Sequence, residues 1–187
     1  MIKKMKLYHT GYSIIESPDI YFGRKNADFG QGFYLSDDKK FVGKWARERK
    51  NESVYVNIYE LDLHSLNVLR LERDEKWLSY IQENRRGKED HYREYDVVIG
   101  PIANDTIYDV LGIISSGFLS FDEALTLMKL GPEYKQIVIK TRKAAEALEF
   151  LTAKELAKET LKESAKVIKA EEEKYLEVVS RKMESMF

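Results

Sequence analysis

Apolar and polar positions along this 187-residue chain change period several times, and each change marks an element. Lys6-Leu7-Tyr8-His9-Thr10-Gly11 predicts a short first strand that stops at Gly11. Ser17-Pro18-Asp19 reads as a turn and Phe22 to Asp28 as a polar loop. Phe33-Tyr34-Leu35 predicts a second strand. A helix is expected over Asp37 to Lys50, where Phe41, Val42, Trp45 and Ala46 recur at helical spacing behind Ser36 as N-cap. Val54 to Leu61 alternates and is rich in β-branched and aromatic residues, which predicts a strand. Asp74 to Asn84 carries Trp77, Leu78 and Ile81 on one side, a short amphipathic helix, and Arg85 to Glu94 reads as a surface loop. Tyr95 to Pro101 is a continuous apolar run closed by Gly100-Pro101, the signature of a buried strand. Asn104 or Asp105 caps an expected helix through Ile107, Val110, Leu111 and Ile114. Ser120-Phe121-Asp122-Glu123 is a capping box that opens another, to Leu130. Gln136 to Thr141 predicts a last strand.

The pattern shifts at Arg142. Alanine, lysine, glutamate and leucine dominate from there, without glycine or proline. Thr152-Ala153-Lys154-Glu155 is a second capping box. The helical region is therefore expected to break near Leu151 and restart as a helix of about 34 residues, roughly 50 Å long. The chain divides on this reading into a domain over 1–150 and a charged amphipathic helical extension over 151–187. The imperfect apolar stripe of the extension predicts docking on its own domain, on a second copy or on a partner.

Composition narrows the classes. Hydrophobic residues at 43 % suffice for a packed core, and a net charge of -1 gives no chain-wide basic field for nucleic acid. Local basic runs such as Arg85-Arg86-Gly87-Lys88 are short. The lack of cysteine excludes disulfides and thiolate metal sites. His9, His64 and His91 show no ligand spacing, so a metal hydrolase is disfavoured and no metal is expected. No stretch approaches the roughly 18 apolar residues of a membrane span. Met1 to Lys6 lacks the apolar run of a secretory signal, so a soluble cytoplasmic chain with no membrane partner is expected.

The chemistry centres on Asp28-Phe29-Gly30-Gln31-Gly32-Phe33-Tyr34-Leu35-Ser36. Two glycines one residue apart let the backbone turn sharply and leave room for a ligand. Tyr34 offers a flat face, and Trp45, eleven residues on, a second wall. Together they suggest a slot for a flat heterocycle; the alternative is a tight turn feeding a core strand. A Rossmann-type dinucleotide fold does not fit, because its glycines follow a strand and open a helix, whereas Gly30-Gln31-Gly32 precedes a strand.

Phe29 to Asp37 is similar to the Phe-Gly-Lys-Gly-Ile-Tyr-Phe-Ala-Asp run of the poly(ADP-ribose) polymerases, and Tyr8-His9-Thr10-Gly11 resembles the histidine motif on their first strand. In that order and about 25 residues apart, the two motifs make residues 6–150 resemble the diphtheria-toxin-like branch of NAD-dependent ADP-ribosyltransferases, and more closely a bacterial family of uncharacterised small proteins within it. The resemblance implies an α+β fold: a split, mostly antiparallel sheet pair that clasps NAD, with flanking helices and a helical tail. It also implies that His9 bonds the adenosine-side ribose, that the backbone at Thr10 and Gly11 faces the nicotinamide amide, and that Gly32 lies at the cofactor. Tyr34 would stack on the nicotinamide with Trp45 as the second aromatic. Arg24 is assigned to the pyrophosphate by its charge alone.

The third motif departs from the family pattern. Where the superfamily has a glutamate at the start of a late strand, this chain has Gln136. A carboxylate holds the ribose 2′-hydroxyl, stabilises the positive charge of the transition state and accepts a proton. Glutamine supplies only the first of these. The resemblance therefore implies a mono-ADP-ribosyltransferase with Gln136, His9 and Tyr34 at the reaction centre, acting on a protein or nucleic acid. By analogy it could be the toxin of a toxin–antitoxin cassette, with the C-terminal helix as the antitoxin or self-association surface. The competing expectation is a non-catalytic module that binds NAD, ADP-ribose or a partner.

Overall fold

The computed structural model describes residues 4–49, 51–103 and 119–185, and within these not the side chains of Lys44 and Trp45. The described elements, in chain order, are β1 (Lys4–Gly11), β2 (Phe33–Leu35), α1 (Lys39–Trp45), β3 (Tyr55–Asp62), β4 (Val68–Arg70), α2 (Glu75–Arg85) and β5 (Val97–Pro101). They continue with α3 (Phe121–Met128), β6 (Lys135–Ile139), α4 (Arg142–Glu146), β7 (Leu148–Glu155) and α5 (Lys158–Glu184). The class is α+β, built on two open sheets. One runs β1-β3-β7, antiparallel throughout; the other runs β2-β6-β5-β4, antiparallel except for the parallel pair β4–β5.

Strand periodicity explains the packing. Val97, Ile99, Ile137 and Ile139 face the first sheet and pack with Leu7, Tyr59, Leu61, Phe33 and Leu35. The alternate residues, Val98 and Val138, face the other way, against Trp77, Leu78 and Ile81 of α2 and Ala124, Leu125 and Met128 of α3. β5 and β6 are thus buried on both faces, which is why Val97 to Ile99 and Ile137 to Ile139 read as unbroken apolar runs. The outer face of the first sheet takes Val42 of α1 against Val56 and Ile58.

Among the described residues, a two-way backbone bridge joins the sheets at their edges. The Tyr8 amide donates to the Ser36 carbonyl at 2.9 Å, and the Ser36 amide to the Tyr8 carbonyl at 3.0 Å.

Three expectations are corrected. Ser36 does not cap α1: Asp38 does, accepting from the amides of Lys40 and Phe41, and the helix ends at Trp45 instead of Lys50. The stretch from Arg142 is not a helix up to a break near Leu151. Thr141 caps the short α4, and residues 148–155 then pair with β3 as the third strand of the first sheet. Leu148 enters the core and Phe150 meets the Tyr59 ring edge-on at 5.7 Å, so tertiary pairing overrides a helix-favouring composition. Thr152-to-Glu155 therefore lies in a strand, and α5 starts at Lys158 with no side-chain cap. α5 has 27 residues and docks on its own domain near both ends: Leu161 packs with Ala46 and Val54, Val179 with Leu119 and Leu127. β4 carried no signal that the sequence reading used. The helix expected around Asn104 to Ile114 lies outside the described residues.

Gly32 is required by close packing. A Cβ built there would sit 2.6 Å from both the Ile139 carbonyl oxygen and Val138 Cγ1. A Gly32→Ala variant is expected to lose about 2–3 kcal/mol of stability, read as a lower midpoint in urea denaturation.

Candidate functional site

The sheet-to-sheet bridge also gathers the chemistry. Ser36 is fully buried, and besides its two backbone bonds to Tyr8 its hydroxyl donates to the Lys135 carbonyl at 2.9 Å. One residue thus ties together the end of the first strand, the end of the glycine-motif strand and the start of β6. These are the segments that carry His9, Tyr34 and Gln136. The sequence reading gave Ser36 only a helix cap. Its position at the end of the aromatic strand was the available clue.

His9 follows the bridge directly. Its Nδ1 lies 2.8 Å from the Tyr34 carbonyl oxygen, and its ring packs on Phe33 with centroids 4.5 Å apart. A carbonyl only accepts, so Nδ1 carries the proton and Nε2 of the neutral ring is an acceptor. That Nε2 points to the Gly11 side, where an added Cβ would stand 3.5 Å away. Burial lowers the His9 pKa from its ordinary value, and the Tyr34 carbonyl opposes the shift only in part. The loop beyond Gly11 is pinned by Asn57, which bonds Ser13 and Ile15, and by the Tyr59 hydroxyl, which donates to the Ile15 carbonyl at 2.6 Å.

A depressed folded pKa means that the unfolded chain takes up a proton first as the pH falls. The contribution of His9 to stability is therefore complete above about pH 6.5 and is lost on acidification below it. Wild type is expected to lose more stability between neutral pH and pH about 5 than His9→Gln, whose amide donates to Tyr34 without titrating. Urea titrations at the two pH values check this.

Tyr34 pairs with Val138 and turns its ring to the α2 and α3 side, opposite to Phe33 and His9. His9 therefore meets the backbone of Tyr34 and not its ring. The Tyr34 hydroxyl is engaged by its own loop: it donates to the Gly30 carbonyl at 2.7 Å and accepts from the Phe29 amide at 3.0 Å. Burial raises its pKa far above the ordinary phenol range; the Phe29 amide and Arg24 act against that shift, Asp28 and Asp90 with it. Arg24 is thus within electrostatic reach of Tyr34. Gln136 shares a face of β6 with Val138, which makes it a diagonal neighbour of Tyr34, roughly 7–8 Å away between side-chain bases. It is 3 % exposed, and its amide nitrogen makes a long 3.4 Å bond to the Pro101 carbonyl. Thr10 donates to the Val42 carbonyl at 2.8 Å, which ties the first strand to α1. Trp45 is the last residue of that helix, and its side chain lies outside the described residues.

The two glycines do not leave a bare floor on their Cα faces. Ile139 and Val138 fill the space beside Gly32. Asp90, Lys140 and Asn84 fill it beside Gly30, whose φ of +74° also demands glycine. Lys140 and Asp90 form an ion pair the sequence reading missed. Lys140 Nζ also donates to the Phe29 carbonyl at 2.5 Å and to the Tyr80 hydroxyl at 3.2 Å, and Tyr80 in turn donates to Asp90 at 2.7 Å. Arg85 clamps Asp28 at 2.7 Å. The motif loop is thus held from behind by charge.

His64 follows β3 in a turn. His91 pairs with Glu83 at 3.4 Å, so the three histidines are in separate places. Among the described residues, no helix is long and apolar enough to cross a membrane. No curated protein and no solved structure matches the chain. Residues 5–150 match a family described as a protein of unknown function, DUF3990, and the chain belongs to that family.

Proposed function

We propose that the protein is a mono-ADP-ribosyltransferase of the diphtheria-toxin-like superfamily, with NAD as its substrate. The observation that carries the reading is the buried Ser36 node, which brings the His9, Tyr34 and Gln136 segments to one corner of the clasp. In the proposed reaction the ribose C1′–N bond of NAD breaks and nicotinamide leaves with the bonding electron pair. An acceptor N–H or O–H adds at C1′, and its proton passes to solvent or to a base. His9 Nε2 accepts from a ribose hydroxyl, the Tyr34 ring stacks on nicotinamide, and the Gln136 carbonyl oxygen holds the 2′-hydroxyl.

A non-catalytic NAD- or ADP-ribose-binding module is the second reading. The neutral, buried Gln136 favours it. Purified protein incubated with NAD separates the two, because release of free nicotinamide requires the enzyme. Gln136→Glu is expected to raise that release roughly tenfold or more, because a carboxylate adds charge beside the forming cation. An unchanged rate would remove Gln136 from the reaction centre.

A further inference from the structure

Behind the motif loop lies a cleft of about 330 Å³ lined by Tyr21, Lys25, Gln31, Lys88, Arg93 and Lys140, with Asp90 as its acid. Its four cations outnumber that carboxylate, and Asp90 is already committed to Lys140 and Tyr80. Lys88 and Arg93 make only exposed pairs, with Glu83 and Glu89, of the kind that contribute little and exchange readily for a stronger anion. Tyr21, which lines the cleft, is 58 % exposed, and Phe22, next to it in the chain, is 92 % exposed. Phe22 is not on a loose tip: the Gln31 amide donates to the Tyr21 carbonyl at 2.7 Å and to the Gly23 carbonyl at 3.0 Å, which clamps the chain on both sides of it. A phenyl ring held out in water forfeits the free energy of burial, and no fold requirement explains its placement.

We propose that this cleft binds single-stranded nucleic acid, its phosphates on Lys25, Lys88 and Arg93 and its bases stacked on Phe22 and Tyr21. Cations beside exposed flat rings form the pattern that recognises unpaired strands, because every base has a face to stack. A duplex keeps its bases stacked inside and gains only the charge contacts. The overall charge of -1 does not oppose this, because the field that matters is the local one. In the reaction proposed above such a strand is the acceptor; that consequence, unlike the site itself, rests on the transferase reading.

The test is fluorescence anisotropy of a labelled oligothymidylate, without NAD, with a duplex of equal length and polyglutamate as competitors. Saturable binding is expected, with a log–log salt slope of about −2 for three phosphate contacts. The Lys25→Glu/Lys88→Glu/Arg93→Glu variant should lose at least roughly tenfold in affinity. Phe22→Ala should lose roughly tenfold with an unchanged salt slope. Circular dichroism confirms that these surface variants fold. Equal competition by duplex or polyglutamate, or affinity unmoved by either variant, overturns the proposal. Nicotinamide release is measured separately, so an inert protein that still binds the strand refutes the transferase and leaves the cleft intact.

Discussion

Lys140→Met is expected to cost about 3–5 kcal/mol of folding free energy, the usual loss when one partner of a buried ion pair is removed. The side chain of Lys140 is 3 % exposed, and burial lowers its pKa even with Asp90 in contact. The cation nevertheless has three oxygens around it: Asp90, the Phe29 carbonyl and the Tyr80 hydroxyl. Methionine fills the space and satisfies none of them, so the Asp90 charge loses its counter-ion and the Phe29 carbonyl its donor. Phe29 is also where the backbone amide meets the Tyr34 hydroxyl, so the damage should spread to the ring of the candidate site. Urea denaturation gives the loss. Adding Asp90→Asn should restore at least part of it, because a neutral pair no longer carries an uncompensated charge. A double variant as unstable as the sum of both singles would show that the pairing is not what holds the loop.

The sequence was most legible where local pattern and tertiary role agree. The two-sided strands β5 and β6 were readable because Val97 to Ile99 and Ile137 to Ile139, buried on both faces, leave no polar gaps. Helix α2 was readable from its apolar side, Trp77, Leu78 and Ile81, and α3 from the Ser120 capping box, which the chain uses as expected. β7 was not, because its leucines, glutamates, alanine and lysine prefer helix in isolation. Only the vacant edge of β3, supplied by residues nearly a hundred positions away, makes it a strand. Around the candidate site, Ser36 joins the segments that carry His9, Tyr34 and Gln136, and that junction was not legible. Ser36 reads locally as a cap, and its bond to Lys135 spans 99 residues. The Lys140–Asp90 pair is hidden for the same reason: neither residue belongs to a motif, and each lies in a stretch that reads as surface or strand end.

Tyr34 separates ring from hydroxyl, and two substitutions should give opposite results. Tyr34→Phe keeps the flat face but strips the Phe29 amide of its acceptor and the Gly30 carbonyl of its donor. It is expected to lose about 1–2 kcal/mol of stability while nicotinamide release from NAD stays near wild type. Tyr34→Ala removes the ring as well. Stacking of a heterocycle on an aromatic side chain contributes about 1–3 kcal/mol, so release should fall roughly 10- to 100-fold in kcat/KM beyond anything Tyr34→Phe shows. The comparison is informative because both variants leave the same two backbone groups unbonded. Loss of the hydroxyl bonds is then common to both, and the difference between them reports the ring, its packing against the α2 and α3 side included. Equal activity in the two variants would mean that Tyr34 serves the loop and no heterocycle lies against it, and the transferase reading would lose its nicotinamide wall.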